Sequence, residues 1–321
     1  MAVYTHVSAE QMAELLSQYD LGQLVSAKGI AEGIENSNFM VDTDQTRVFL
    51  TLYEKRVDPE QLPFFLHLLD HLADKGCHVP RFLSDRNGDQ IQQVAGRPAC
   101  VIEFLNGVSA SVPTPIQANS VGLALGEMHG ALVDFDGTRP NSMNLAAWHD
   151  LAKKCGAEAL NEIAPNLSKV IADELNHLNA HWPKHLPTSI IHADLFPDNV
   201  LMLNDKVTGL IDFYFSCTDI RAFDVAITHA AWCFSADGSE YSEEVSQSLL
   251  QGYETSFGLS KEEQVALPIL ARGASLRFLL TRCFDWINTP ADALVTRKDP
   301  MAFLRRLEFY SDPANETVFD R

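Results

Sequence analysis

The segment IIHADLFPDNVLMLNDKVTGLIDFYF, residues 190–215, restricts the chain more than any other stretch. Two short apolar runs, NVLMLN and VTGLIDF, flank Asp205-Lys206 and read as a tight hairpin. A hairpin brings its two ends together. Asn199 and Asp212 are therefore expected to face one point, with Asp194 projecting from the loop HADLFPD before them. Any one of these residues could be a cap or a satisfied core polar group. Together, at this spacing between apolar strands, they mark a chemical site.

The rest of the chain divides in character around residue 105. Residues 8–20 read as a short helix with Ser8 as N-cap, followed by strands at 21–30, 37–43 and 47–54. Turns are expected at GIEN (33–36) and DTDQ (42–45). Apolar spacing predicts a helix over 59–75, with Pro63 pushing its start later. FLSDRN and GDQIQQVAG read as strands joined by an Asn87-Gly88 hairpin turn, and PACVIEFL as a further strand ending at Asn106-Gly107. Beyond residue 115 helical periodicity dominates, over 116–135, 146–163, 167–182 and most of 219–310. The expected fold is α+β and two-lobed. An N-terminal lobe (1–105) is an antiparallel sheet with one internal helix, and a larger, mainly helical lobe spans 106–321.

A net charge of −19 excludes nucleic acid and anionic membrane as expected partners, because a polyanion is repelled at long range. No apolar run is long enough to span a bilayer, and the N-terminus lacks the pattern of a secretory signal, so the expected location is the cytoplasm. Six scattered cysteines with no C-x-x-C pair read as buried thiols.

Asp194 to Asn199 has the D-x-x-x-x-N spacing of the protein-kinase catalytic loop, and Asp212-Phe213 stands where that superfamily keeps its metal-binding Asp. Phosphoryl transfer from ATP needs such a set: an Asp to orient the attacking hydroxyl and take its proton, and a carboxylate and an amide to hold Mg²⁺ against the phosphates. The segment resembles the aminoglycoside phosphotransferase and choline kinase family, small-molecule relatives of the protein kinases. VGLALGEMHG (121–130) is similar to the family's helix ending in His. VIEFLNG (101–107) is similar to its hinge, which implies adenine contacts from the backbone at Glu103 and Leu105. The resemblance implies a protein kinase-like fold, Asp194 as catalytic base, Asn199 and Asp212 on Mg²⁺, and His192 and Asp224 as supports of the loop. GIENSNFMV (33–41), LTLYEKR (50–56), HADLFPDNVLM (192–202) and LIDFYFSCTDIRAFDVAI (210–227) are similar to the bacterial branch that phosphorylates L-homoserine.

The chain departs from the kinase pattern at three points. GIENSN holds one Gly rather than a Gly-rich loop, so phosphate contacts fall to backbone N–H groups and to Asn36, Ser37 and Asn38; the same residues also read as an ordinary polar hairpin. Thr51 stands where the phosphate-binding Lys is expected and Phe65 where its partner Glu is expected, with Lys55, Arg56 and Lys28 as candidate replacement cations. Asp212-Phe213-Tyr214 lacks the Gly of D-F-G.

Homoserine would need a cation for its carboxylate and acceptors for its ammonium. Arg272, Arg277 and Arg282 are candidates for the first, and Asp219, Asp285 and the Glu103 region for the second. Tyr214, Trp232 and Trp286 are candidates for a cation–π wall. Ion pairing for the arginines and structural burial for the aromatics are the competing readings. Other open readings are a kinase of choline, aminoglycosides, hydroxylysine or methylthioribose, a non-catalytic kinase-shaped binding protein, and a metal-dependent hydrolase.

Overall fold

The computed structural model describes residues 5–30, 36–54, 59–289 and 297–320. Two compact units emerge. One comprises residues 1–107 together with 208–214, the other 108–207 together with 215–321.

The first unit is built on a five-stranded antiparallel sheet. Its strands are β1 (Leu24–Ile30), β2 (Asn36–Thr43), β3 (Arg47–Tyr53), β4 (Gln92–Val94) and β5 (Arg97–Glu103), in the order β1-β2-β3-β5-β4. Helix α1 (Ala9–Leu16) begins as expected at Ser8, which forms a reciprocal capping box with Gln11. Its Met12, Leu15 and Leu16 join Phe39, Val41, Val48, Leu50 and Val101 in one core cluster, which accounts for the period-two burial of β2. Helix α2 (Leu62–Asp74) follows a turn of 3-10 helix. The α-helix thus starts later than Pro59, as expected, with Pro63 in its first turn, where no intrahelical N–H is required.

Of the two strands expected over 82–96, the first is absent and the second is shortened to β4 (Gln92–Val94). Phe82 makes only an isolated bridge to Ile102, and the expected Asn87-Gly88 hairpin is instead a loop gathered on the Asp85 carboxylate, which accepts from the N–H groups of Asn87 and Asp89. The tight turn lies at Ala95-Gly96, both at positive φ, joining β4 to β5.

In the second unit, α3 (Pro115–Ala131) lies against α8 (Glu243–Ser256). A Cβ on Gly122 would stand 2.0 Å from the Leu249 carbonyl oxygen, and one on Gly252 would stand 2.1 Å from that of Asn119. The two backbones touch, and only glycine permits it. The single helix expected over 146–163 is two, α4 (Leu145–Cys155) and α5 (Ala157–Ile163), split at Gly156 with φ 77°. Helices α6 (Leu167–His181), α7 (Arg221–Trp232), α9 (Lys261–Asn288) and α10 (Met301–Ser311) complete the set, with α9 packed on both α7 and α10. The short strands β6 (Thr188–Ile191) and β9 (Cys217–Ile220) pair antiparallel. The predicted hairpin is present as β7 (Val200–Leu203) and β8 (Lys206–Leu210), the last three residues of which are counted with the first unit, turning through Asn204 and Asp205, both at positive φ. No helix among the described residues is long and apolar enough to cross a membrane.

Candidate active site

The loop His192–Asn199 is tied down by hydrogen bonds to its backbone and within its own side chains. The Asp224 carboxylate on α7, fully buried, accepts the His192 N–H at 2.7 Å and the Ala193 N–H at 2.8 Å. Arg277 on α9 donates to the Ala193 carbonyl at 2.7 Å, and Trp232 at the end of α7 donates to that of Leu195 at 2.9 Å. The Asp194 N–H reaches His192 Nδ1 at 3.3 Å. Asn199 Nδ2 donates both to the Asp194 carbonyl (2.8 Å) and to Asp194 Oδ2 (3.1 Å). Ala193 is held at φ 65°, a conformation that a non-glycine residue keeps only when its surroundings enforce it. The half-buried Asp194 is thereby aimed by both its backbone and its side chain.

Asp224 is itself braced. His129, at the end of α3, places Nε2 3.2 Å from Asp224 Oδ2 and Nδ1 2.9 Å from the Tyr253 hydroxyl on α8. Burial alone would raise the Asp224 carboxyl. The hydrogen bond from His129, the fields of His129 and His192, and the His192 N–H outweigh it and hold the group below the usual carboxylate range. An ionised carboxylate only accepts, so His129 Nε2 carries a proton toward it. The glycine seam between α3 and α8 thus fixes the brace behind the loop.

The arginines proposed for a substrate carboxylate divide by their contacts. Arg272 is committed to Glu174 through a two-pronged pair at 2.8 and 2.6 Å, nearly buried, which supports the structural reading over the substrate one. Arg277 is 2% exposed and spends Nη1 on the loop. Burial pulls its guanidinium below the ordinary value, and the field of Asp194 acts in the opposite direction. Arg282 lies over the Phe303 ring and donates to the Asp299 carbonyl. Asp219 accepts from Asn141 Nδ2 and from the Ile220 N–H. Trp232 is buried against the loop, and Trp286 lies under Arg297, so neither belongs to a shared wall.

In the first unit, Asp212 follows β8 with φ 66°. Ser37 is fully buried and its hydroxyl donates to Glu54, which pairs with Arg97; it braces β2 and is not presented to a phosphate. Asn38 accepts from the Thr51 hydroxyl at 2.8 Å, a neutral contact at the position of the missing Lys. Asn36 is 5% exposed. Lys28 is exposed on β1, while Lys55, Arg56 and residues 33–35 lie outside the described residues. The Glu103 N–H donates to the Arg81 carbonyl, so it cannot also serve adenine, and Leu105 follows the strand half-buried. Tyr214 packs between Tyr53 and Phe65 rather than in a cation-binding wall.

Trp232 and Arg277 as holders of the loop carbonyls were not anticipated. Both act over more than thirty residues of sequence, and only the high apolar content around them hinted at burial.

Residues 26–261 match the phosphotransferase enzyme family. The homoserine kinase of Zymomonas mobilis is 51% identical over 319 residues, 99% of each chain. That of Rhizobium rhizogenes is 48% identical over 319 residues, again 99% of each chain. Among solved structures, an amicoumacin kinase superposes with a TM-score of 0.70 at 14% identity, covering 97% of this chain and 93% of its own. A spectinomycin phosphotransferase superposes with a TM-score of 0.69 at 14% identity, covering 98% of each chain. At those identities the structural matches establish the fold, the two-part α+β architecture of the kinase-like phosphotransferases. The chain therefore belongs to the phosphotransferase enzyme family, with full-length relatives that are homoserine kinases.

Proposed function

We propose that this chain transfers the γ-phosphoryl group of ATP to the side-chain hydroxyl of L-homoserine, giving O-phospho-L-homoserine and ADP, a step of threonine biosynthesis in the cytoplasm. The observation that carries the proposal is identity near one half to homoserine kinases along nearly the whole chain.

In this reading the first unit binds the nucleotide, through backbone groups around Asn36–Asn38 and at the strand end Glu103–Leu105. The second unit carries the loop and the acceptor. Asp194 orients the homoserine hydroxyl and accepts its proton as oxygen bonds to phosphorus and the bond to the β-phosphate oxygen breaks. The transition state is loose, so the rate depends on alignment more than on covalent help, and a loop held at the Ala193, Asp194 and Leu195 carbonyls suits that demand.

Asn199 and Asp212 would hold Mg²⁺. Asn199 spends both Nδ2 hydrogens on Asp194, leaving its carbonyl oxygen for another partner, and amide and carboxylate oxygens are the donors a hard cation takes. When bound, the ion supplies charge neutralisation at the phosphates. With Arg272 taken by Glu174, Arg282 is the candidate we retain for the substrate carboxylate.

A panel of homoserine, threonine, serine, choline and kanamycin, with ADP release as readout, tests the assignment. Homoserine is expected to exceed the others in kcat/KM by at least about tenfold, the scale set by matched polar groups. Preference for choline or kanamycin would withdraw it.

A further inference from the structure

The position of the missing ion pair is filled, and what fills it sits beside Asp212. Phe65 on α2 is 1% exposed, and its ring meets Tyr214 edge-on, with centroids 5.5 Å apart at 77°. Tyr214 also meets Tyr53 edge-on at 5.8 Å and 79°, and the two hydroxyls lie 3.0 Å apart. Tyr53 ends β3, the strand that carries Thr51, and has no exposed surface. The helix and the strand that would have supplied the charged pair thus grip one ring.

That ring stands two residues after Asp212, whose φ of 66° is unfavourable for a residue with a Cβ. A backbone in this conformation persists only where flanking contacts hold it. Edge-on ring pairs have a preferred geometry, and a hydroxyl pair adds direction, so the three side chains fix a rotamer as an ion pair would. They do so without a charge that burial would penalise. Deleting one partner of a Lys–Glu pair leaves a buried charge, whereas deleting one ring here leaves only a gap.

We propose that Tyr53, Phe65 and Tyr214 form an aromatic clasp that positions Asp212 for the metal–nucleotide complex, built on the helix and the strand that carry the Lys–Glu pair in the superfamily. The inference rests on the reading of Asp212 as a metal ligand. These three are positioning residues.

The test is ATP affinity by calorimetry on the full chain, with and without Mg²⁺, for wild type, Asp212→Asn, Tyr53→Phe, Phe65→Leu and Phe65→Tyr. Asp212→Asn is expected to abolish the gain in affinity that Mg²⁺ confers. Tyr53→Phe, which removes one hydroxyl from a fully packed ring, is expected to reduce that gain about three- to tenfold while metal-free affinity stays at the wild-type value. Phe65→Leu should do the same, and Phe65→Tyr, which keeps a ring edge, should retain most of the gain. If Asp212→Asn abolishes the gain but Tyr53→Phe and Phe65→Leu leave it intact, the clasp is overturned and the metal reading stands. If Asp212→Asn leaves the gain intact, the metal reading falls and the clasp with it. Equal loss of affinity with and without Mg²⁺ in Tyr53→Phe would make the contact merely structural and also overturn the proposal.

Discussion

Replacing Asp224 by Asn changes one oxygen into an amide nitrogen in a site with no exposed surface, and the consequences can be worked through. Oδ2 accepts from the His192 N–H and from His129, while Oδ1 accepts from the Ala193 N–H. The amide would turn its oxygen to the doubly occupied side, leaving its NH₂ facing the Ala193 N–H. One buried donor without an acceptor costs about 1–3 kcal/mol, and two charge-assisted bonds reduced to neutral ones cost about 1 kcal/mol more each. The sum, about 3–5 kcal/mol, is the range for breaking a buried charged contact. It leaves a protein of ordinary stability folded. The apparent urea midpoint should fall by about 1–2 M at an m-value of about 3 kcal/mol/M. Because Ala193 precedes Asp194, loosening its positive-φ backbone should also lower kcat by about 100-fold, with the KM for ATP little changed. A variant with a midpoint within about 0.3 M of wild type and undiminished kcat would refute the account of the loop.

Gly252→Ala should destabilise the protein by about 1–3 kcal/mol although alanine favours helices, because its Cβ would meet the Asn119 carbonyl; a urea melt measures it, and a gain in stability would contradict the close seam. His229 is fully buried, with Nδ1 at 2.6 Å from the Tyr310 hydroxyl and Nε2 at 2.7 Å from Ser246 Oγ, and burial pushes its pKa down to about 3. Below pH 6.5 the unfolded chain takes up a proton that the folded one refuses, so stability falls by about 2 kcal/mol between pH 6.5 and 5, a slope that His229→Gln should remove from melts across that window. Arg272→Ala should cost about 3–5 kcal/mol in stability by leaving Glu174 charged and unpaired, with the KM for homoserine unchanged; the reverse pattern in melts and kinetics would return Arg272 to the substrate site.

What could be read directly from the residues was local. Ser8 and Gln11 announce the first helix, period-two burial announces β2, and the apolar runs around Asn204-Asp205 announce the hairpin. The loop spacing from Asp194 to Asn199 belongs to the same class, since Asn199 bonds back over only five residues. Harder features depend on partners far away in the chain. Strands β6 and β9 are four residues each, separated by more than twenty residues, and neither has a turn to advertise it. Phe82–Asn87 reads as a strand with a hairpin turn at its end, yet Asp85 gathers the N–H groups of Asn87 and Asp89 first, as short acidic side chains do in turns. Arg272 reads as a carboxylate receptor because no acidic residue stands within two turns of it on its own helix, while Glu174 lies 98 residues earlier. Separations of 84 and 37 residues likewise hid Arg277 and Trp232, which hold the loop carbonyls.

The most direct test of the central claim is single-turnover phosphoryl transfer to homoserine by Asp194→Asn, beside its ATP affinity and melting midpoint. The rate is expected to fall by about 10²–10⁴ with affinity and midpoint near wild type, because the proton acceptor is lost. A rate within about threefold of wild type would show that the hydroxyl is deprotonated elsewhere and would remove Asp194 from the chemistry.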